Sequence, residues 1–510
     1  MLESYQKKFI AYNKKIWGKK RKSNKRFFLV EGMLGAMPAH LIRLGIVLNA
    51  VADTVDENPL VILNSCTDDR NKEMFKSFGV SDFIFLDEIR LNLIEKIKAV
   101  FKVFPCVIFK NINKVLLLEY KGMNFGHLVY DDLLRSNKGS YTVGKVDKKC
   151  ILTIYKAICY IFKYSKIISR YKTEIVVVTH NEYVEFGTLG IAAIAQDNAI
   201  LNINDFELSI NKDKNGLYLH ERFRKGLKEE ITKGDKEELL KEGRRLLQAR
   251  VCAGTGVYDF KNAYLNKKTY TRDELAERFS HNAKKNIFIF MHVFSDAPHL
   301  SKMTMYKDYY EWISDTMEQI THICDVNWYI KVHPSAFLYG ESNAFEKVMK
   351  NGKGNIFWTP DDFNTFSIKD VADAVITCQG TVGIEASCMG IPVIITGRPY
   401  YSNLGFTIEP RSKKEYYTLL KKVYKIKRLS LEKTKKAQIA LGAYGKYNFM
   451  EDTILDNEVY NYAGYGKQTD YERAYNRIIE NMQGKLCSDI PLYDKTKELL
   501  KQNLREYINL

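Results

Sequence analysis

The sequence predicts an α/β protein of two doubly wound, parallel-sheet domains facing a cleft, with a helical C-terminal extension. Three observations carry this. Short apolar runs alternate with helical spacing from Arg26 to about residue 180, the mark of a parallel sheet covered on both faces. The same alternation restarts at Asn286 and runs to about residue 396. Between the two sets lies a highly charged stretch, 211–285, that reads as surface helices and carries the passage between domains. A chain of 510 residues also exceeds one ordinary core. The expected division is a basic segment at 1–25, a first Rossmann-like domain with helical insertions at 26–280, a second at 281–425 and the extension at 426–510.

In the first set, RFFLV ends at Glu31 and meets a turn containing Gly32 and Gly35, followed by a helix carrying Leu41, Leu44 and Leu48. LVILN (60–64), FIFL (83–86), HLVYDD (127–132) and EIVVVTH (174–180) read as further strands. Residues 151–171 have helical spacing and high apolar content, but Lys156, Lys163, Lys166 and Arg170 interrupt them, so they predict a packed or membrane-facing helix and not a span. In the second set NIFIFMHVF (286–294), VNWYIKVH (326–333), NIFWT (355–359), ADAVITC (372–378) and IPVIIT (391–396) read as strands, with helices between.

Composition bounds the function. Hydrophobic residues at 45% and charged residues at 27% indicate a folded chain. No window reaches the roughly 18 uncharged apolar residues of a membrane span, and the N-terminus lacks the pattern of a signal peptide. Nine cysteines with no C-x-x-C pair point to a reducing, cytoplasmic compartment rather than a disulfide scaffold or structural zinc. The formal charge of +17 favours polyanionic partners. Basic residues crowd the first 26 positions, interleaved with Phe9, Ile10, Ile16 and Trp17. That mixture suits an anionic membrane surface, at the inner face of the cytoplasmic membrane, or a solvated terminus.

The most informative stretch is ADAVITCQGTVGIEASCMGIPVIITGRPYYSNLGFT (372–407). A strand ends at Cys378, Gln379 and Gly380 turn the chain, and a helix begins near Thr381. Such a start offers backbone N–H groups to an anion. Glu385, one turn in, is placed to accept hydrogen bonds from two vicinal hydroxyls. In NWYIKVHPSAF (327–337), a strand delivers Lys331 and His333 to its C-terminal end, where both could meet a phosphate. His292 and Asp296 leave the first strand of this set on the same edge, which is where open α/β sheets bind ligands.

His333 and Pro334, then Gly380 and Thr381, then GIEASCMGIPVI (383–394) resemble the C-terminal domain of GT-B glycosyltransferases. The similarity is greatest to those of bacterial capsule and lipopolysaccharide synthesis, including Kdo transferases and HP-motif sialyltransferases. It spans roughly 286–410. The resemblance implies that His333 and Thr381 bind the donor phosphate and that Glu385 holds the ribose. It implies that 26–280 is an acceptor domain and 281–425 a nucleotide-sugar domain. This chain has Gly380 and Thr381 where the family often has two adjacent hydroxyl residues. The implied reaction moves a sugar from a CMP-, UDP- or GDP-linked donor to a growing polysaccharide or lipid-linked glycan. The donor is a substrate, and no cofactor is implied.

An inverting transfer needs a base for the acceptor hydroxyl; Asp131 and His180, in strand-end loops of the first set, are the candidates. No D-x-D, H-E-x-x-H or P-loop pattern occurs, so no metal is expected. Two other readings compete: a nucleotide-sugar 2-epimerase on a similar fold, and a basic protein binding nucleic acid or a membrane surface. The sequence has no nucleic-acid module signature, and no nucleic-acid partner is expected.

Overall fold

A computed structural model of the chain describes residues 2–18, 26–34, 38–136, 141–204, 207–251, 267–279, 284–302, 305–341, 348, 354–448, 453–456, 458–459 and 470–507. Gly35 lies outside them. The chain divides into two compact units: Met1–Leu133, Gly144–Leu217 and Asn448–Leu510 form the first, Leu134–Val143 and Tyr218–Tyr447 the second.

The first unit opens with helix α1 (Ser4–Trp17) and strand β1 (Phe27–Glu31). Then follow α2 (Pro38–Val55), β2 (Asn58–Leu63), α3 (Asp69–Lys76), β3 (Asp82–Phe85), α4 (Leu93–Phe109) and α5 (Ile112–Leu116). A short hairpin, β4 (Glu119–Tyr120) and β5 (Met123–Asn124), leads into α6 (Gly126–Ser136) and α7 (Lys148–Tyr171). The sheet is completed by β6 (Ile175–Val178), α8 (Tyr183–Ile194), β7 (Ala199–Asn204) and β8 (Glu207–Asn211). Its strand order is β3-β2-β1-β6-β7-β8, parallel except for the β7–β8 pair. The order reverses between β1 and β6, which makes their C-terminal ends the switch point of a doubly wound sheet.

The second unit begins with α9 (Leu219–Lys233), α10 (Lys236–Val251) and α11 (Arg272–Phe279). Its sheet is built from β9 (Lys285–Phe290), α12 (Tyr309–Ile320), β10 (Val326–Lys331), β11 (Ile356–Trp358), α13 (Ile368–Val371), β12 (Ala374–Thr377), α14 (Val382–Cys388) and β13 (Val393–Ile395). Helices α15 (Lys413–Lys421) and α16 (Leu431–Asn448) follow. The order is β11-β10-β9-β12-β13, all parallel, so the switch point lies between β9 and β12. Two apolar layers cover the sheet. Ile287, Ile289, Trp312 and Trp328 lie in one. Phe288, Tyr329, Val375 and Ile384 lie in the other. Residues adjacent along a strand thus point to opposite faces, as a doubly covered strand requires.

Four expectations change. HLVYDD (127–132) is helical, within α6, and not a strand. The change of unit falls at Tyr218, not near residue 280, because α9, α10 and α11 belong to the second unit. Residues 426–510 are not one extension: α16 packs in the second unit, whereas α17 (Tyr471–Met482) and α18 (Pro491–Tyr507) return to the first, α18 lying along α2. The N-terminal segment is a packed helix over Ser4–Trp17, while residues 19–25 lie outside the described residues. Phe9, Ile10 and Trp17 of α1 are buried, with Phe9 against Phe78 and Tyr475 at 6.3 and 5.1 Å between ring centres. Likewise α7 buries its apolar stripe, from Cys150 through Ile154 and Ile161 to Ile168. Its Lys163 and Lys166 reach the carbonyls of Leu86 (2.6 Å) and Arg90 (3.0 Å). Among the described residues no helix is long and apolar enough to cross a membrane.

Candidate functional site

At the second unit's switch point, β9 and β12 run in register, with Phe290 opposite Thr377. Beyond those ends His292 and the Gln379–Gly380 turn come together. The backbone N–H of Gln379 donates to His292 Nε2 at 3.2 Å, and Thr377 Oγ1 lies 3.2 Å from the same nitrogen. An accepting Nε2 leaves the proton of the neutral ring on Nδ1. The imidazole stacks on Tyr309 at 4.1 Å and 12°, with Trp312 edge-on. Burial, reinforced by the neighbouring imidazoles of His333 and His220, pushes His292 down to about 3. It is therefore neutral at any physiological pH and serves as a fixed acceptor, not as a cation.

Gln379 is the centre of a buried network. Its Nε2 donates to Pro298 O at 3.0 Å and to the Tyr309 hydroxyl, and its Oε1 accepts from Ser301 Oγ. His220, from the start of α9, is also held neutral, at about 3, by burial and by the Arg224 guanidinium. The other wall is the turn after β13. Tyr401 Oη donates to Gly380 O at 2.5 Å, and Arg224 Nη2 donates to Arg398 O and Pro399 O at 2.8 and 3.0 Å. A Cβ on Gly383 would overlap the Tyr401 hydroxyl, so this glycine is what lets Tyr401 reach Gly380. The Thr381 side chain makes no capping bond to α14 and is half-buried.

His333 follows β10 on the same edge. Its Nδ1 accepts from Ser335 N at 3.2 Å, which places the neutral ring's proton on Nε2. Its imidazole is near enough to that of His292 to oppose protonation there.

Two predicted ligands have other partners. Glu385 is buried and forms an ion pair with Arg250 of α10, Nη1 to Oε1 2.6 Å. Burial opposes the Arg250 charge, and Glu385, Tyr400 and Tyr444 more than offset it, so the guanidinium is held above its ordinary range. Glu385 thus neutralises a buried arginine through Oε1. Lys331 turns into the core: its Nζ donates to Phe363 O at 3.1 Å and lies 5.3 Å from that ring's centre. Burial, with Lys267 adding to it, lowers it to about 8. Asp296 is exposed, 3.9 Å from Arg135 Nη1. The loop that carries it is fixed by Glu341, whose buried carboxylate accepts from Phe294 N (2.7 Å), Ser295 N (2.9 Å) and Ser295 Oγ (2.6 Å).

The first unit's switch point is built differently. Buried Glu31, at the end of β1, accepts from Met33 N at 2.6 Å, from Thr179 N at 3.4 Å and from Thr179 Oγ1. One carboxylate thereby ties the loops after β1 and β6 together. Gly32 sits where a Cβ would overlap Val61, a packing requirement. His180 follows Thr179, edge-on to His40 at 5.4 Å and beside Phe186 at 5.6 Å; its Nδ1 is buried with no hydrogen-bond partner among the described residues. Asp131 is buried within α6, so it is not the strand-end residue expected. Its neighbour Asp132 is pushed up by burial. Among the described residues no group of three or more His, Cys, Asp or Glu could hold a metal ion.

Sequence reasoning missed His220, Gln379, Glu341 and the Arg250 partner of Glu385. Gln379 alone had a local signal, its place in the turn before Gly380; the others come from distant segments.

In class, the chain is an α/β protein with two Rossmann-like units. Residues 255–444, less than half of the chain but most of the second unit, match the family model of capsule polysaccharide biosynthesis proteins. No curated protein matches the chain in sequence. Among solved structures, the chain is similar to a Thermosulfurimonas dismutans KpsC β-Kdo 2,4 transferase at 15% identity and TM-score 0.33, covering 52% of this chain and 79% of that one. It is similar to the KpsC β-Kdo 2,7 transferase of the same organism at 16% and 0.33, covering 55% and 80%. It is similar to a UDP-GlcNAc 2-epimerase from Neisseria meningitidis at 11% and 0.25, covering 90% and 100%.

Proposed function

We propose that this chain is a glycosyltransferase of capsule-type polysaccharide synthesis, which binds a nucleotide-sugar donor at the switch point of its second unit. The carrying observation is the juxtaposition of the His292 loop with the Gln379–Gly380 turn, on the edge that also bears His333. The family match over the same residues supports it.

In this reading His333 and the Thr381 hydroxyl contact the donor phosphate. Charge on the departing phosphate grows as the glycosidic bond breaks, and preorganised donors there stabilise that change more than the ground state. His292 does not touch the phosphate; it is a positioning residue that holds the 379–380 backbone. Glu385 and Lys331 have no ligand role. The base for the acceptor hydroxyl is His180, which follows β6 at the edge of the first unit's sheet, whereas Asp131 lies within α6. The acceptor is a growing polysaccharide or lipid-linked glycan, and the compartment is the cytoplasm, at an anionic membrane surface.

The test is transfer of labelled sugar from CMP-, UDP- and GDP-linked donors to a lipid-linked acceptor. One donor class is expected to label the acceptor, with His333→Ala reducing turnover by about 100-fold or more at unchanged melting temperature. Epimerised donor formed without acceptor, or full transfer by His333→Ala, would overturn the reading.

A further inference from the structure

Helix α4 is apolar on two sides, and only one of them is used by the fold. Its start is well specified. Asn92 and Glu95 form a capping box, Glu95 N to Asn92 Oδ1 at 2.9 Å and Asn92 N to Glu95 Oε2 at 2.7 Å, and Lys166 of α7 holds Glu95 at 2.9 Å. At about 100° per residue, Ala99, Val103 and Cys106 share one stripe; they are buried, and α4 packs on α7. Leu93, Ile97, Val100, Phe101, Phe104 and Ile108 share a second stripe, well separated from the first, and all are exposed. Phe101 is 71% exposed and Leu93 72%. Leu117, just beyond α5, is 72% exposed as well.

Together these side chains present apolar surface on the order of several hundred Å², the size at which an exposed patch marks an interaction site. The surroundings are cationic. On the same wheel Lys96 borders one side of the stripe and Lys98 and Lys102 the other, and Lys110 and Lys114 follow at its C-terminal end; all five are exposed. Lys102 and Lys121 flank the Tyr120 ring at 6.0 and 5.8 Å. Exposed Phe, Leu and Ile bordered by lysine is the composition of a helix lying in a membrane interface, its apolar side among the acyl chains and its cations at anionic headgroups.

We propose that α4 docks the chain on an anionic lipid bilayer. The occupant is a bilayer and not a protein groove because the stripe is rimmed by one sign of charge on both sides, complementary to a headgroup plane. The two segments whose sequence first suggests membrane contact, α1 and residues 151–171, bury most of their apolar residues in the first unit, with Leu152 left exposed. The inference does not rest on the transferase reading: docking is measured without donor, and transfer to a detergent-solubilised acceptor is measured without a bilayer.

Flotation of the full chain with vesicles tests it. The wild type is expected to float with mixed phosphatidylglycerol–phosphatidylcholine vesicles and not with phosphatidylcholine alone. Phe101→Ser and Phe104→Ser should each weaken binding about tenfold without changing the melting temperature, since both side chains already face water. Lys98→Glu with Lys102→Glu should remove the preference for anionic lipid. A wild type that stays in the aqueous fraction, or phenylalanine variants that float like it, would overturn the proposal. So would self-association that the same phenylalanine substitutions abolish in a chain that binds no vesicles, which would show a second copy covering the face.

Discussion

The two units carry a similar strand order around a central strand, yet they join the loops at their switch points with opposite chemistry. In the first unit a buried carboxylate, Glu31, takes hydrogen bonds from both loops and fills the place between them. In the second an imidazole, His292, accepts one backbone N–H and is kept neutral by burial. Glu31 already takes hydrogen bonds from the loop groups that would meet a ligand, whereas the neutral His292 ring braces the turn and adds no charge of its own. The comparison teaches that the doubly wound topology supplies the crevice, and the residue that ties its two loops sets which of their polar groups are already engaged.

The largest expected effect lies beside the second switch point. Glu385→Ala leaves the Arg250 guanidinium buried without its carboxylate and should cost about 3–5 kcal/mol in chemical denaturation. Glu385→Leu combined with Arg250→Met should recover most of that loss. A Glu385→Ala chain of normal stability with weakened nucleotide binding would return Glu385 to the ribose. Glu31→Ala strips three donors in the first unit of their acceptor and should cost about 3 kcal/mol, leaving nucleotide binding by the second unit unchanged.

Acid should strain the second unit more than the first. The folded chain keeps His220 and His292 neutral down to about 3, whereas the unfolded chain protonates them near the ordinary 6.5. The stability they contribute is complete above about pH 6.5 and falls as the pH drops toward 3, by about 1.4 kcal/mol per pH unit for each ring. Denaturation curves across this window should show the slope, and His292→Asn should remove roughly half of it. The smallest effect is expected at Lys331. Its amine is held down at about 8, which is a cost to folding at neutral pH, so Lys331→Met should be neutral or stabilising by up to about 2 kcal/mol. Loss of nucleotide binding in that variant would show that the lysine reaches the ligand after all.

Both sheets were largely legible because nearly all of their strands are short, apolar and bounded by turn residues, as buried parallel strands are. The misread segment, HLVYDD, has too few residues for its period to separate helix from strand; the burial of Leu128, Val129, Leu133 and Leu134 shows the helical period only across the whole of α6. Strands β7 and β8 carry Asn202, Asn204 and Asn211, which dilute the apolar signal. In the fold Asn202 is satisfied by Asn181 at 2.6 Å. At the site, sequence identified the loops and the edge but not the partners. Arg250 stands 135 residues before Glu385, and no local pattern reveals that the carboxylate is already engaged. Residue type suggested a phosphate ligand at Lys331; the strand's alternation turns that side chain onto the Phe363 face of the sheet.

The most direct test is the melting temperature of the wild type and of His333→Ala with CMP, UDP and GDP. A ligand that binds only the folded chain raises its stability by mass action. One nucleotide should raise the wild-type melting temperature, and that shift should disappear in His333→Ala and persist in Glu31→Ala. A shift that survives the loss of His333, or one that vanishes with Glu31, would contradict a nucleotide site at the second switch point.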